Sequence, residues 1–247
     1  MEDPHTIDVR RAADRFHSDL GWLDSWHSFS FGNHYDPDNV GHGLLIVSND
    51  DTVRAGGGFG AHGHNDMEIV TWVLAGELEH RDSEGNHGVL YPGLVQAMSA
   101  GTGIRHSEMN ASATVDVHFL QMWVLPDTAG LEPSYAQLDV NAGLDAGSST
   151  GRFTAIASGQ GHDGAIPIHQ RAAVLWGARL DGGGSVEVPD GEHVHFFVAL
   201  GSGTLDQAGD LARGDAVRVT AATGTAMAGS SFVAGPDGAE LLVWVMG

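Results

Sequence analysis

Five glycine-rich turns, "RAGGGFG", "DSEGN", "SAGTG", "DGGGS" and "LGSGT", cut this sequence into short apolar runs that leave little room for helices. Helical periodicity is scarce, whereas strand-like alternation is clear at "VDVHFLQMWVLP". There Val115, Val117, Phe119, Gln121 and Trp123 are expected on one face, with Asp116 and His118 starting the other. The expected fold class is all-β. With 247 residues and 42% hydrophobic content, the chain can bury one large core or two small ones. From Leu138 to Gly151, "LDVNAGLDAGSSTG" is poor in large apolar residues and reads as a linker. The expected division is therefore a domain over 1–137, a linker over 138–151 and a domain over 152–247.

An internal repeat supports two copies of one β unit. Gly93 in "GLVQAMSAGTGIRHSE" follows Gly76 by 17 residues, and Gly214 in "GDAVRVTAATGTAMAG" follows Gly201 by 13. A turn shorter by four residues reconciles the two spacings, after which Gly93 to Gly103 align on Gly214 to Gly224 without a gap. On this alignment His106 falls on Met227 and Glu108 on Gly229, while His62 and His64 fall on Glu187 and Pro189. The second half has its own pair, His193 and His195, but these stand where Glu68 and Val70 stand in the first half. They are read as structural or surface histidines.

Residues i and i+2 of a strand point the same way, so His62 and His64 in "GFGAHGHNDMEIVTWVLAGELEHRDSEGN" can aim at one point. The segment "GTGIRHSE" repeats that spacing with His106 and Glu108. Two such pairs facing each other would make a site of three histidines and one carboxylate, and on spacing alone Glu68 can reach it as well. The sequence has no cysteine, which excludes disulfides, thiolate metal sites and cysteine nucleophiles. Histidine, carboxylate and water then suit one divalent ion such as iron, manganese, nickel, copper or zinc.

Other features point less far. The string "GFGAHG" formally matches a dinucleotide fingerprint, but a β-branched run follows where that fold needs a helix. Trp22, Trp26, Phe29 and Phe31 are expected in the core rather than around a ligand. His34, His42, His80, His87 and His118 lack partners at ligand spacing and read as surface or hydrogen-bonded β positions. Acidic residues outnumber basic ones 32 to 11, all the basic ones are arginine, and the formal charge is −21. That charge argues against nucleic acid or an anionic membrane as a partner, and is read as general solvation rather than a docking surface. The first twenty residues lack the apolar core of a signal peptide, and no apolar run nears the roughly 18 residues of a membrane span. A soluble cytoplasmic protein is expected.

The order His-x-His, x3, Glu, a glycine eight residues on, then Gly-x-x-His resembles the cupin superfamily of metal-binding jelly rolls or small β-barrels. Three stretches, "GWLDSWHSFSFGNHYDPDNVG", "FGAHGHNDMEIVTWVLAGELEHRDSEGN" and "MSAGTGIRHSE", sharpen this to pirin and the bacterial pirin-like bicupins with quercetinase activity. The resemblance is dense from about Gly21 to Pro126 and thinner beyond. It implies two tandem cupin domains, with metal only in the N-terminal one, held by His62, His64, His106 and Glu108. It also favours Glu108 over Glu68. Gly63 departs from the family, which has proline between the paired histidines, so the ligand segment is expected to be less rigid.

The implied activity is oxidative cleavage of a flavonol such as quercetin, with O2 entering and carbon monoxide leaving. Fe(II) is the first metal expected, and Glu108 is the expected catalytic base. The other function that the resemblance allows is a metal-binding, redox-sensing regulator that acts on a protein partner, with catalysis incidental. A metal open to an apolar cavity would favour the enzyme. A metal buried beneath an exposed, charged face would favour the regulator.

Overall fold

The computed structural model describes residues 5–221 and 227–247, and antiparallel strands dominate it. The chain forms two compact units. One comprises Phe16–Asp139 with Ile166–Arg171, and the other gathers the described residues up to Arg15 with Val140–Ala165 and Ala172–Gly247.

The first unit holds a seven-stranded sheet in the order Ser134–Asp139, Leu94–Ser99, Glu68–Ala75, Val117–Val124, Leu45–Val53, Leu23–His27 and Phe16–Asp19. A four-stranded sheet, in the order Gly58–His64, Ile104–Asn110, Leu78–Asp82 and His87–Leu90, packs against it. Leu78 and Leu90 of the smaller sheet meet Leu23, Val53, Val73, Val117 and Phe119 of the larger one, and Ile104 meets Ile69 and Met98. The strand Val117–Val124 alternates in polarity but not in burial, since Phe119, Leu120, Gln121 and Met122 are all buried. Val115 lies ahead of that strand and is exposed, so it does not share the inner face.

A polar row crosses five strands of this larger sheet. His27 pairs with Asn49, Asn49 with Gln121, Gln121 with Thr71 and Thr71 with Gln96, and all five are buried. Buried polar side chains need partners or a task, so this row marks where the interior stops being ordinary core.

The second unit is cut differently from the expected domain. Its main sheet runs His5–Arg10, Ala216–Ala221, His193–Leu205, Ser231–Met246, Ala173–Leu180 and Thr154–Ser158. The N-terminal strand thus belongs here, with Ile7 opposite Val219 and both Ile7 and Val9 packed on this unit's core. The expected linker is likewise structured, since Asn141–Thr150 is an α-helix that buries Leu144 and Gly147. Its glycines serve close packing rather than chain flexibility. A Cβ on Gly147 would stand 2.5 Å from the Arg152 carbonyl oxygen.

The repeat reappears in strand register. Glu68 pairs with Ser99 and Val124 in one unit, and His193 pairs with Thr220 and Met246 at the same places in the other. Past the second glycine block the ungapped alignment slips. Gly224, the expected partner of Gly103, lies outside the described residues. Glu187, the counterpart of His62, pairs with Ser231 rather than with Met227, and Leu205, the counterpart of His80, pairs with Phe232. Opposite Leu205, as Glu108 is opposite His80, stands Phe232, a fully buried aromatic, so core takes the place of the carboxylate there. Among the described residues no helix is long and apolar enough to cross a membrane.

Candidate metal centre

The four-stranded sheet builds the site. His62 stands opposite His106 on adjacent antiparallel strands, which places both side chains on one face together with His64 and Glu108, each two residues along. Ring centroids lie 4.4 Å apart for His62 and His106, and 4.9 Å apart both for His62 and His64 and for His64 and His106. One nitrogen from each of the three falls within 4.8 Å of the others. Glu108 joins a second group of the same tightness with His106 and His80, so His106 belongs to both.

A β-bulge sets the geometry. Between the pairs His62 with His106 and Phe59 with Glu108, two residues, Gly60 and Ala61, oppose the single Ser107. The bulge turns the Gly60 carbonyl to within 2.8 Å of His62 Nδ1. A carbonyl only accepts, so Nδ1 carries the proton and the Nε2 lone pair is left for a ligand.

Two glycines of this strand predict opposite outcomes. A Cβ on Gly58 would lie 2.5 Å from the Glu108 carbonyl oxygen and 2.6 Å from Met109 Cα, whereas one on Gly63 meets nothing nearer than 3.6 Å. Gly58→Ala is expected to destabilise by about 1–3 kcal/mol and to displace the strand that carries Glu108. Gly63→Ala is expected to stabilise by about 0.5 kcal/mol through the unfolded chain. Thermal melts of the metal-free variants check both, and equal melting temperatures would refute the close approach at Gly58.

Three buried polar atoms of these residues have no partner: His64 Nε2, His106 Nε2 and Glu108 Oε1. Such atoms are costly to leave unpaired, and two imidazole nitrogens beside a carboxylate oxygen are donors suited to a divalent first-row ion. The residues present therefore fit a metal. Burial and neighbouring His62 depress His64 to about 4. Burial and the other histidines bring His106 to about 3. Both rings are thus neutral, ligand-ready bases at neutral pH. Burial raises Glu108 to about 7 against a hydrogen bond from Gln121. Gln121 Nε2 donates to Glu108 Oε2 at 2.7 Å, and Trp123 Nε1 donates to Gln121 Oε1 at 3.1 Å, which fixes the carboxyl and leaves Oε1 unpartnered.

Glu68 serves elsewhere. It is buried, accepts from Ser99 Oγ at 2.7 Å and from the His169 backbone N–H at 2.9 Å, and so anchors the segment Ile166–Arg171 to its own unit.

His80 is the residue that sequence spacing missed. It stands directly opposite Glu108, and Asp82 stands opposite His106. Both side chains are fully buried. Asp82 accepts from His80 Nε2 at 3.2 Å, so neutral His80 offers an unprotonated Nδ1 to His106 Nδ1–H at 3.4 Å. That chain leaves the proton off His106 Nε2, the atom turned to the other histidines. The available signal was the pair His80 and Asp82 itself, since Leu78, His80 and Asp82 repeat the i, i+2 spacing on one face. His80→Ala and Asp82→Asn are each expected to weaken metal affinity about 10–100-fold while His62, His64 and His106 remain. Competition against a chelator of known affinity measures this, and unchanged affinity would refute the chain. The remaining histidines follow expectation, His118 bonding Asp50, His34 bonding Ser18 and His87 bonding Glu79.

Beside these residues opens a cavity of about 670 Å³, lined by His62, His64, Glu108, Gln121 and Trp123 and by the aromatic rings of Trp22, Phe31 and Phe59. Of the four aromatics expected in the core, Phe29 is buried there, while Trp22 and Phe31 face the cavity and Trp26 stacks on His17.

The sequence pattern of the family described as Pirin matches residues 7–124, and that of the Quercetinase C-terminal cupin domain matches residues 155–235. A Mycobacterium tuberculosis protein named "Putative quercetin 2,3-dioxygenase Rv0181c" is 52% identical over 98% of this chain and 95% of its own. Quercetin 2,3-dioxygenase of Escherichia coli K12 is 47% identical over 66% of this chain and 68% of its own. The crystal structure of the bacterial pirin YhhW from Escherichia coli in complex with nickel(II) superposes with a TM-score of 0.84 at 34% identity, covering 98% of this chain and 99% of that one. With both halves matched and the fold shared along nearly its whole length, the chain is a bicupin that belongs to the pirin family of the cupin superfamily.

Proposed function

We propose that this protein is a metal-dependent dioxygenase that cleaves flavonols such as quercetin with O2, using one divalent ion held by His62, His64, His106 and Glu108. The observation that carries the reading is the set of unpartnered atoms, His64 Nε2, His106 Nε2 and Glu108 Oε1, beside an aromatic-lined cavity large enough for a three-ring substrate. Curated relatives named quercetin 2,3-dioxygenase and the nickel complex of YhhW support the substrate class and the metal. A site that opens on such a cavity favours an enzyme over a regulator whose metal lies beneath a charged face.

A bound divalent ion would supply the positive charge that favours the ionised 3-hydroxyl of a flavonol and the redox or Lewis-acid chemistry toward O2. The protein's residues do the rest. Glu108, whose hold on a proton is strengthened by burial, takes the 3-hydroxyl proton, while Gln121 holds its Oε2 still. Trp22, Phe31, Phe59 and Trp123 hold the flat rings and exclude water. Fe(II) is the first metal to test, with manganese, nickel, copper and zinc as the others. The expected setting is the cytoplasm, with the flavonoid and O2 as the molecules bound.

The test is anaerobic reconstitution of metal-free protein with Fe(II), Mn(II), Ni(II) or Cu(II), followed by quercetin absorbance and carbon monoxide detection in air. Metal-dependent decay with carbon monoxide release is the expected result. Stoichiometric metal without carbon monoxide would overturn the flavonol assignment and favour a partner-binding role.

A further inference from the structure

The same cavity carries a second array that the metal chemistry does not use. Ser18 on Phe16–Asp19, Ser25 and His27 on Leu23–His27, and Asn49 and Asp51 on Leu45–Val53 all line the cavity. The register pairs Ser18 with Ser25, Ser25 with Asp51 and His27 with Asn49, so the five side chains share one face. Ser18 Oγ lies 3.1 Å from His27 Nε2, and His27 Nδ1 lies 2.9 Å from Asn49 Oδ1 and 3.4 Å from Ser25 Oγ. Ser25 gives its own hydrogen to Asp51 Oδ1, so toward His27 it only accepts. Both neighbours of Nδ1 are then acceptors. Nδ1 carries the proton, and Nε2 is the lone pair that receives the Ser18 hydroxyl. His34 Nε2, 2.9 Å from the same Oγ, can then only donate to it.

We propose that Ser18, His27 and Asn49 form a nucleophile, base and orienting group that hydrolyse aryl esters bound in this cavity. The roles match those by which a serine or cysteine, a histidine and an aspartate or asparagine cooperate on unrelated folds. Cleavage of a flavonol ring with loss of one carbon as carbon monoxide leaves the former ring oxygen bonded to a new acyl carbon, and that linkage is an aryl ester. The ester's source rests on the proposed ring cleavage, whereas the hydrolytic array does not. In the first step Ser18 Oγ bonds to the ester carbonyl carbon as its proton passes to His27 Nε2. The carbonyl then reforms, and the aryloxide leaves as a phenol with that proton. Water next attacks the acyl-serine, its proton passing through His27 back to Ser18, and the carboxylic acid is released. No electrons are exchanged, and water is the only co-reactant.

The test uses p-nitrophenyl benzoate and a fluorophosphonate on the full-length protein, both metal-loaded and chelator-treated. Hydrolysis is expected to survive chelation and to fall at least about a hundredfold in Ser18→Ala. The fluorophosphonate is expected to leave one adduct on the peptide that contains Ser18, a readout that needs no variant to fold. Equal hydrolysis in Ser18→Ala at an unchanged melting temperature, or no adduct at Ser18, would overturn the array. Carbon monoxide release with the ester accumulating intact would also count against the array while leaving ring cleavage standing. Ser18-dependent hydrolysis without carbon monoxide from quercetin would support the array and overturn only the source assigned to its ester.

Discussion

Replacing His106 with alanine is expected to remove stoichiometric metal binding and to lower flavonol turnover ~10³-fold or more, with little change in the stability of the metal-free protein. His106 is common to both groups of potential ligands, so its loss leaves His62 with His64 on one side and Glu108 with His80 on the other. The small stability cost follows from its burial. His106 is 2% exposed and neutral, with Nε2 unpaired, so deleting the ring loses packing and the hydrogen bond to His80 Nδ1 but also removes an unsatisfied polar atom costing about 1–3 kcal/mol, which offsets them. His195 supplies the contrast. It is equally buried and stacks beside Phe197, but its register position is that of Val70 in the first unit. His195→Ala is expected to lower the melting temperature and to leave metal content unchanged. Metal analysis and thermal melts of the two variants separate the roles, and metal loss in His195→Ala with retention in His106→Ala would refute the assignment of the site.

What the sequence disclosed was whatever depends on short spacing. The i, i+2 pairs His62 with His64 and His106 with Glu108 fall on one face because strand geometry alone dictates it. The residues that spacing missed depend on which strands become neighbours. His80 gains its meaning from standing opposite Glu108, a pairing across 28 positions that no local pattern encodes. The N-terminal strand joins the second unit for the same reason, since its partner Ala216–Ala221 lies some two hundred residues away. The helix Asn141–Thr150 was hidden by composition. A helix that packs through Gly143 and Gly147 looks like a flexible linker, because small residues serve close approach and flexibility alike. Trp22 and Phe31 read as core because an aromatic wall and an aromatic core have one composition and differ only in the space left beside them.

Glu108→Gln is expected to lower turnover at least about 10²-fold and to change the protons released when metal binds. In the metal-free fold, burial raises this carboxyl to about 7 from its usual 4.5, so near pH 6 it is mostly protonated. A metal binds only the ionised form. At pH 6 the wild type is therefore expected to release close to one proton more per metal than Glu108→Gln, and by pH 8 the difference disappears. His64 and His106 add nothing to it, because both are already neutral at these pH values and are common to the two proteins. Stability carries the same signature with a definite sign. For a group whose folded value is raised, the stabilising contribution is complete below about 4.5 and is lost as the pH rises through about 7, so Glu108→Gln should flatten that decline. Calorimetry of metal binding in two buffers of different ionisation enthalpy gives the proton count directly. An equal count in the two proteins at pH 6 would show that Glu108 is either already ionised or untouched by the metal. Metal affinity separates the two: equal affinity in the two proteins would remove it from the ligand set and leave Gln121 and Trp123 bracing a carboxyl with no catalytic task, whereas weaker binding by Glu108→Gln would identify an already ionised ligand. A difference near one that fades by pH 8 would tie the proton held at Glu108 to the metal beside it, which is what a base serving a flavonol hydroxyl requires.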